Sequence, residues 1–245
     1  MSEVAKFFAE SVANIARQGA DANAHARTLD WINAIAPHKY TYNFTWMGRP
    51  VIQFPQDLVA MQELIWRVQP EVVIETGVAH GGSLIFHASM LALLGGDRIV
   101  VGVDVDIRPH NRAEIEKHPM ARRIHLVEGS SIDESTVARV RELMGARRPA
   151  LVVLDSNHTH AHVLRELELY SPLVARGSYV IVCDTLIEDM PAGSFPNRPW
   201  DKGNNPKTAV WEFLKTNQRF VVDREIEHKL LITVAPDGWL KCVED

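Results

Sequence analysis

Two aspartates each end a short apolar run: Asp155 closes ALVVLD and Asp184 closes SYVIVCD. In open α/β sheets, ligands bind beyond the carboxyl ends of the strands, so both carboxylates are candidates to face a crevice. On neighbouring parallel strands they would stand close together and repel one another unless a cation lay between them. Oxygen donors of this kind suit magnesium, which keeps several waters and accepts oxygens from a substrate. Asp155 and Asp184 are therefore candidate metal ligands, in a site that lowers the pKa of a bound hydroxyl and fixes its direction. The competing account for both is a purely structural one, as caps of the helices that follow.

Asp155 leads into Ser156-Asn157-His158-Thr159-His160-Ala161-His162. His158 is nearest the strand end, and its near-neutral titration suits a general base or a further ligand; with Asp155 it forms the candidate catalytic pair. On a helix, His162 would share a face with His158 at i, i+4, but the glutamate of an HExxH zinc helix is absent. His160 and His162 are read as surface or packing residues, and Cys183 as a small buried hydrophobe.

A third strand end, Glu75-Thr76-Gly77-Val78-Ala79-His80-Gly81-Gly82-Ser83, has the glycines of a loop that turns sharply against a ligand. Ser83 is placed to cap the next helix. The spacing is GxxxGG, whereas a nucleotide pyrophosphate wants GxGxxG; S-adenosylmethionine has no phosphate and tolerates the looser pattern. Glu75, Gly77, Ala79, Gly81 and Ser83 are candidate cofactor contacts. Asp104, ending the run RIVVGVD, is expected to accept from the ribose hydroxyls, Ser130 and Ser131 to lie beside the adenine, and Asp155 beside the methyl group.

The elements that must position these groups follow from periodicity. EVVIE (71–75), RIVVGVD (98–104), RIHLVE (123–128), ALVVLD (150–155) and SYVIVCD (178–184) are too continuously apolar for half-exposed strands, and read as central strands of a parallel sheet. Helical patterns fall between and after them at 83–94, 110–117, 132–144, 160–170 and 207–216, which predicts a doubly wound α/β sheet. RFVVD (219–223) and KLLITVA (229–235) are separated only by REIEH, so the sheet is expected to close with an antiparallel strand. Residues 1–68 are predicted as a helical cap on the 69–245 core, all in one domain. The segment 185–206, with Phe195, Arg198, Trp200 and four prolines, is long enough to be functional and is expected to cover the substrate. Lys207, just beyond it, is read as solvated or as a partner for an anionic group.

Composition narrows the class. Hydrophobic residues make up 46% and charged residues 23% of 245, with a net charge of -5, as in a globular protein with a real core. Neither a nucleic-acid nor a membrane-surface binder is expected from that charge. No apolar stretch approaches the roughly 20 residues of a membrane span. Two cysteines without a CxxC pair exclude a disulfide framework, and a cytoplasmic location is expected.

Together VIETGVAHGGSL, VGVDVDIRPHN, EGSSID, LDSNHTHAHVL, CDT and KGNNPKTAVWEFL resemble the cephalosporin hydroxylase family, over about residues 46–240. Despite its name, that family consists largely of S-adenosylmethionine-dependent methyltransferases, similar to rhamnosyl and antibiotic-sugar O-methyltransferases. The resemblance implies a Rossmann-like class I methyltransferase fold with a mostly parallel seven-stranded sheet, bound Mg²⁺ and a homo-oligomer. It places Gly77 and Ser83 in the cofactor loop, Asp104 on the ribose, and Asp155 and Asp184 on the metal. In some relatives the residue before the second aspartate is an acidic ligand; here it is Cys183, a poor ligand for magnesium. The expected activity is O-methylation of a sugar or a small natural-product-like substrate. The rival readings are an iron-dependent hydroxylase using Asp155 and two histidines, a nicotinamide oxidoreductase, and a non-catalytic partner that keeps the cofactor fold.

Overall fold

Ser2 and Asp21 start the first two helices. The Ser2 side chain accepts from the Ala5 amide, and Asp21 accepts from Asn23 and Ala24, which satisfies donors that a helix start leaves free. The computed structural model describes residues 2–245. After α1 (Glu3–Gly19) and α2 (Ala22–Ile35) come a two-stranded hairpin, β1 (Phe44–Trp46) with β2 (Arg49–Val51), and α3 (Pro55–Val68), which begins on a proline.

The alternating unit follows: β3 (Val72–Thr76), α4 (Gly82–Leu94), β4 (Ile99–Asp104), α5 (Pro109–Lys117), β5 (Ile124–Glu128), α6 (Glu134–Met144), β6 (Ala150–Leu154), α7 (His160–Tyr170), β7 (Tyr179–Val182), α8 (Pro206–Thr216), β8 (Phe220–Val222), α9 (Arg224–Leu230) and β9 (Trp239–Cys242). The sheet has seven strands in the order β5-β4-β3-β6-β7-β9-β8, parallel except for β9, which runs antiparallel to both neighbours. Register is fixed by pairs such as Val73 with Val100 and with Leu151.

Period-2 alternation divides the central strands β3, β4, β6 and β7 between two buried layers. Val72, Ile74, Val101 and Val152 pack against α6, α7 and α8. Val73, Val100, Leu151 and Ile181 face a second cluster that includes Ile32 of α2, Met61 and Leu64 of α3, and Phe86 of α4. The N-terminal segment thus shares a core with the sheet.

One prediction fails at the end of the chain. Residues 229–235 are not a strand: REIEHKL forms α9 with Ile226 buried, and the antiparallel strand is Trp239–Cys242. The run is apolar for another reason. Thr233, Val234 and Ala235 are buried in a loop, and the Asp57 Oδ2 accepts the Val234 amide at 2.9 Å. The other predicted strands and helices agree with the structure to within about two residues at each end, but β5, expected as a central strand, is the half-buried edge of the sheet, paired only with β4. No helix among the described residues is long and apolar enough to cross a membrane.

Candidate active site

Sheet order reverses beside β3, with β4 and β5 on one side and β6 and β7 on the other, so loops after β3 and β6 leave the sheet in opposite directions and open a crevice. The Gly77 amide donates to the Val103 carbonyl at 2.7 Å, and the Asp155 amide to the Thr76 carbonyl at 2.9 Å. Gly77 has φ +93°, and a Cβ there would lie 2.0 Å from the Asp155 carbonyl oxygen. Only glycine allows that approach. A Cβ at Gly82 would meet the Pro50 carbonyl oxygen at 2.0 Å, so the hairpin presses equally closely from the other side.

The loop is clamped from outside. Arg49 donates from Nε and Nη2 to the His80 carbonyl at 3.0 and 2.7 Å, and from Nη2 to Asn111 Oδ1 at 3.1 Å. Asn111 Nδ2 donates to the Ala79 carbonyl at 2.8 Å. Asp104 Oδ2 accepts the Val78 and Ala79 amides at 2.8 and 3.4 Å. Buried Glu75 accepts from the Ser83 hydroxyl and lies 3.1 Å from His87 Nε2. Ser83 is therefore not the helix cap: that position is Gly81, with φ +79°, and the hydroxyl is turned down onto Glu75.

A cleft of about 630 Å³ lies above these strand ends. Of the predicted residues, Glu75, Gly77, Ala79, Gly81, Ser83, Asp155, His158 and Asp184 all line it. Asp104, Ser130 and Ser131 do not. Asp104 is engaged with the loop amides, and the Ser131 hydroxyl lies 3.0 Å from His162 Nε2. His162 also lies 3.3 Å from the Ser156 hydroxyl, which donates to fully buried Glu166 at 2.7 Å.

Asp155, His158 and Asp184 each offer a ligand atom within 4.8 Å of the others. His158 Nε2 is 3.1 Å from Asp184 Oδ2, and Asp184 holds a left-handed φ of +56°. Desolvation, then the charges of Asp184, Glu75 and Glu166, hold the Asp155 carboxyl well above the usual carboxylate range. A cation between these groups would remove that repulsion, so the donor set fits a divalent metal. Cys183 is outside the cluster, buried with its Sγ 4.0 Å from Gln53 Nε2. His160 is turned to Thr208 and Glu212, which leaves one histidine at the cluster where a two-histidine iron triad needs two.

Four residues in or around the site are given no role by strand-end spacing: Arg49, Gln53, Asn111 and His87. Gln53 Nε2 reaches toward Asp155 Oδ2 at 3.4 Å. Their partners are backbone carbonyls and side chains far away in sequence, so no local spacing marks them. Lys207 is neither solvated nor in the cleft lining. It is buried, 2.6 Å from Asp189 and 3.7 Å from Asp237, and pins the 185–206 segment to α8.

A doubly wound sheet with an antiparallel strand inserted between its last two parallel ones, and a glycine cradle at the reversal point, defines a Rossmann-like methyltransferase fold. Residues 38–243 match one family over most of the chain. The protein belongs to the Rhamnosyl O-methyltransferase/CmcI family. A rhamnosyl O-methyltransferase of Mycobacterium tuberculosis (strain ATCC 25618 / H37Rv) is 30% identical over 214 residues, covering 83% of this chain and 82% of its own. The rhamnosyl O-methyltransferase of Mycobacterium leprae (strain TN) is 30% identical over 163 residues, 63% and 68% of the two chains. Among solved structures, CmcI in an apo form aligns with a TM-score of 0.61 at 19% identity, over 83% and 78% of the chains. A Mg-SAM structure of CmcI aligns at 0.58 and 20% identity, over 82% and 77%.

Proposed function

We propose that this S-adenosylmethionine-dependent O-methyltransferase methylates a hydroxyl of a sugar or sugar-bearing small molecule, with a divalent metal at Asp155 and Asp184. One observation carries the reading: the glycine cradle and the acidic cluster open onto the same cleft. Bound there, S-adenosylmethionine supplies the sulfonium methyl, and Mg²⁺ supplies a positive charge that acidifies and orients the acceptor hydroxyl.

The chain's own part is alignment and proton handling. Gly77 lets the cofactor loop lie against the Asp155 turn, while Arg49 and Asn111 hold its carbonyls. Glu75, tied by Ser83 and His87, presents a fixed carboxylate at the floor. His158 Nε2, beside Asp184, is placed to take the acceptor proton. The Trp200 ring stands edge-on to His158 at 4.7 Å and limits its rotation. Holding both reactants in line is worth several kcal/mol by avoided entropy loss.

Calorimetry with S-adenosylhomocysteine tests the cofactor site, and methyl transfer to methyl rhamnoside in the presence of Mg²⁺ tests the reaction. No binding up to millimolar S-adenosylhomocysteine would sink the proposal. Asp184→Asn should weaken Mg²⁺ binding by at least tenfold, because it removes a charge that the ion needs.

A cytoplasmic site of action fits two buried cysteines that remain free. Homo-oligomerisation is supported by α1, whose Val4, Phe7, Phe8 and Val12 form an exposed apolar stripe. The whole of 1–245 is read as one domain, since cap and sheet share a buried cluster.

A further inference from the structure

Two guanidinium groups, Arg108 and Arg198, line the cleft. Among the described residues neither forms an ion pair, unlike Lys207 and Arg224, which are matched to Asp189 and Asp237. The acids nearby are committed elsewhere. Glu75 is held by Ser83 and His87, and Asp104 by loop amides. Within the segment that carries Arg198, Asp201 accepts the Gly193 amide at 2.7 Å, and Glu188 accepts the Gly203 amide at 2.7 Å and Asn205 Nδ2 at 2.5 Å. The segment turns Asp201 and Glu188 onto its own backbone and pairs Asp189 with Lys207, and it leaves Arg198 exposed at the cleft without an ion pair.

Arg198 is not loose. Its guanidinium carbon stacks 5.2 Å from the Trp200 ring centroid, and Trp200 in turn packs on His158. The charge is thus held one side chain away from the group placed to take the acceptor proton. S-adenosylmethionine brings a single carboxylate. Arg108 follows β4 beside the cofactor loop and stands on the cofactor side, whereas Arg198 stands on the acceptor side.

We infer that the acceptor carries an anionic group, a carboxylate or a phosphate, and that Arg198 receives it while the hydroxyl to be methylated lies at the Asp155–His158–Asp184 cluster. A planar guanidinium matches either anion with two parallel hydrogen bonds. The inference rests on the cleft being the methyl-transfer site and names the chemical class that the cleft selects.

The test uses the full chain saturated with Mg²⁺ and S-adenosylhomocysteine, titrated calorimetrically with methyl glucuronide, glucose 1-phosphate and neutral methyl glucoside. At least one charged ligand should bind about tenfold more tightly than the glucoside, the range expected of a charge-assisted hydrogen bond; whichever it is separates a uronic acid from a sugar phosphate. Arg198→Gln should abolish that preference and leave S-adenosylhomocysteine affinity unchanged, and Arg198→Lys should recover part of it. Equal binding of all three, binding of none, a preference that survives Arg198→Gln, or a loss of S-adenosylhomocysteine binding in Arg198→Gln would each overturn the inference. Failure of the unmodified protein to bind S-adenosylhomocysteine would instead overturn the methyltransferase reading itself.

Discussion

Gly77 and Asp57 show two ways in which one residue constrains the fold around the cleft. At Gly77 the constraint is steric: φ is +93° and a Cβ would lie 2.0 Å from the Asp155 carbonyl oxygen. Gly77→Ala should therefore force the cofactor loop off the Asp155 turn. Strain of about 1–3 kcal/mol is typical of such positions, so we expect at least a tenfold loss of S-adenosylhomocysteine affinity by calorimetry with far-ultraviolet dichroism retained. At Asp57 the constraint is electrostatic. Burial pushes its carboxyl up to about 7, against the Thr233 hydroxyl and the Val234 amide and with some help from the charge of Asp184. Folded Asp57 keeps its proton to about pH 7, whereas the unfolded chain releases it near 3.8, so stability falls as pH rises between those values. The loss is roughly 4 kcal/mol at most. Asp57→Asn keeps an acceptor for Val234 and has no proton to lose; its melting temperature should exceed wild type at pH 8 by several degrees and match it near pH 4. Strand-end logic was enough to bring Glu75, Gly77, Asp155 and Asp184 to one place. Nothing local marks Asp57, because its burial depends on a loop 177 residues away in sequence.

At the scale of elements, legibility tracked how many faces an element buries. Four central strands, β3, β4, β6 and β7, read directly from their continuous apolar runs, and α4, α5, α6, α7 and α8 from helical spacing between turn residues, whereas β5 reads as central but stands half-buried at the sheet edge. The end of the chain misled because KLLITVA is apolar for the sake of a buried loop, while Trp239–Cys242 carries an exposed lysine that weakens the strand signal. The 185–206 segment was legible only as long and aromatic. Its order comes from Glu188, which binds the Gly203 amide and the Asn205 side chain, and from Lys207 on Asp189. Removing one carboxylate should release the wall that holds Trp200 against His158. Glu188→Ala is expected to lower kcat/KM for the acceptor by about tenfold, in line with two lost charge-assisted bonds in a partly exposed site, with S-adenosylhomocysteine affinity unchanged and faster cleavage within 190–204 in limited proteolysis.

For the molecule as a whole, the surface of α1 bears on assembly. Val4, Phe7, Phe8 and Val12 are each more than half exposed, and none of the helix is buried. The double change Phe7→Ser with Phe8→Ser should shift the sedimentation coefficient toward the monomer at micromolar concentration; unchanged sedimentation of an oligomeric wild type would assign assembly to another face. The hairpin between α2 and α3 has a different bearing. Arg49 and Pro50 touch the backbone of the cofactor loop, although they precede the first sheet strand by more than twenty residues in sequence. A graft that kept only the alternating strands and helices, and borrowed its leading segment from a relative, would sever that seam. Chimeras within the family should keep their grip on the methyl donor only when the crossover leaves hairpin and glycine turn from the same parent.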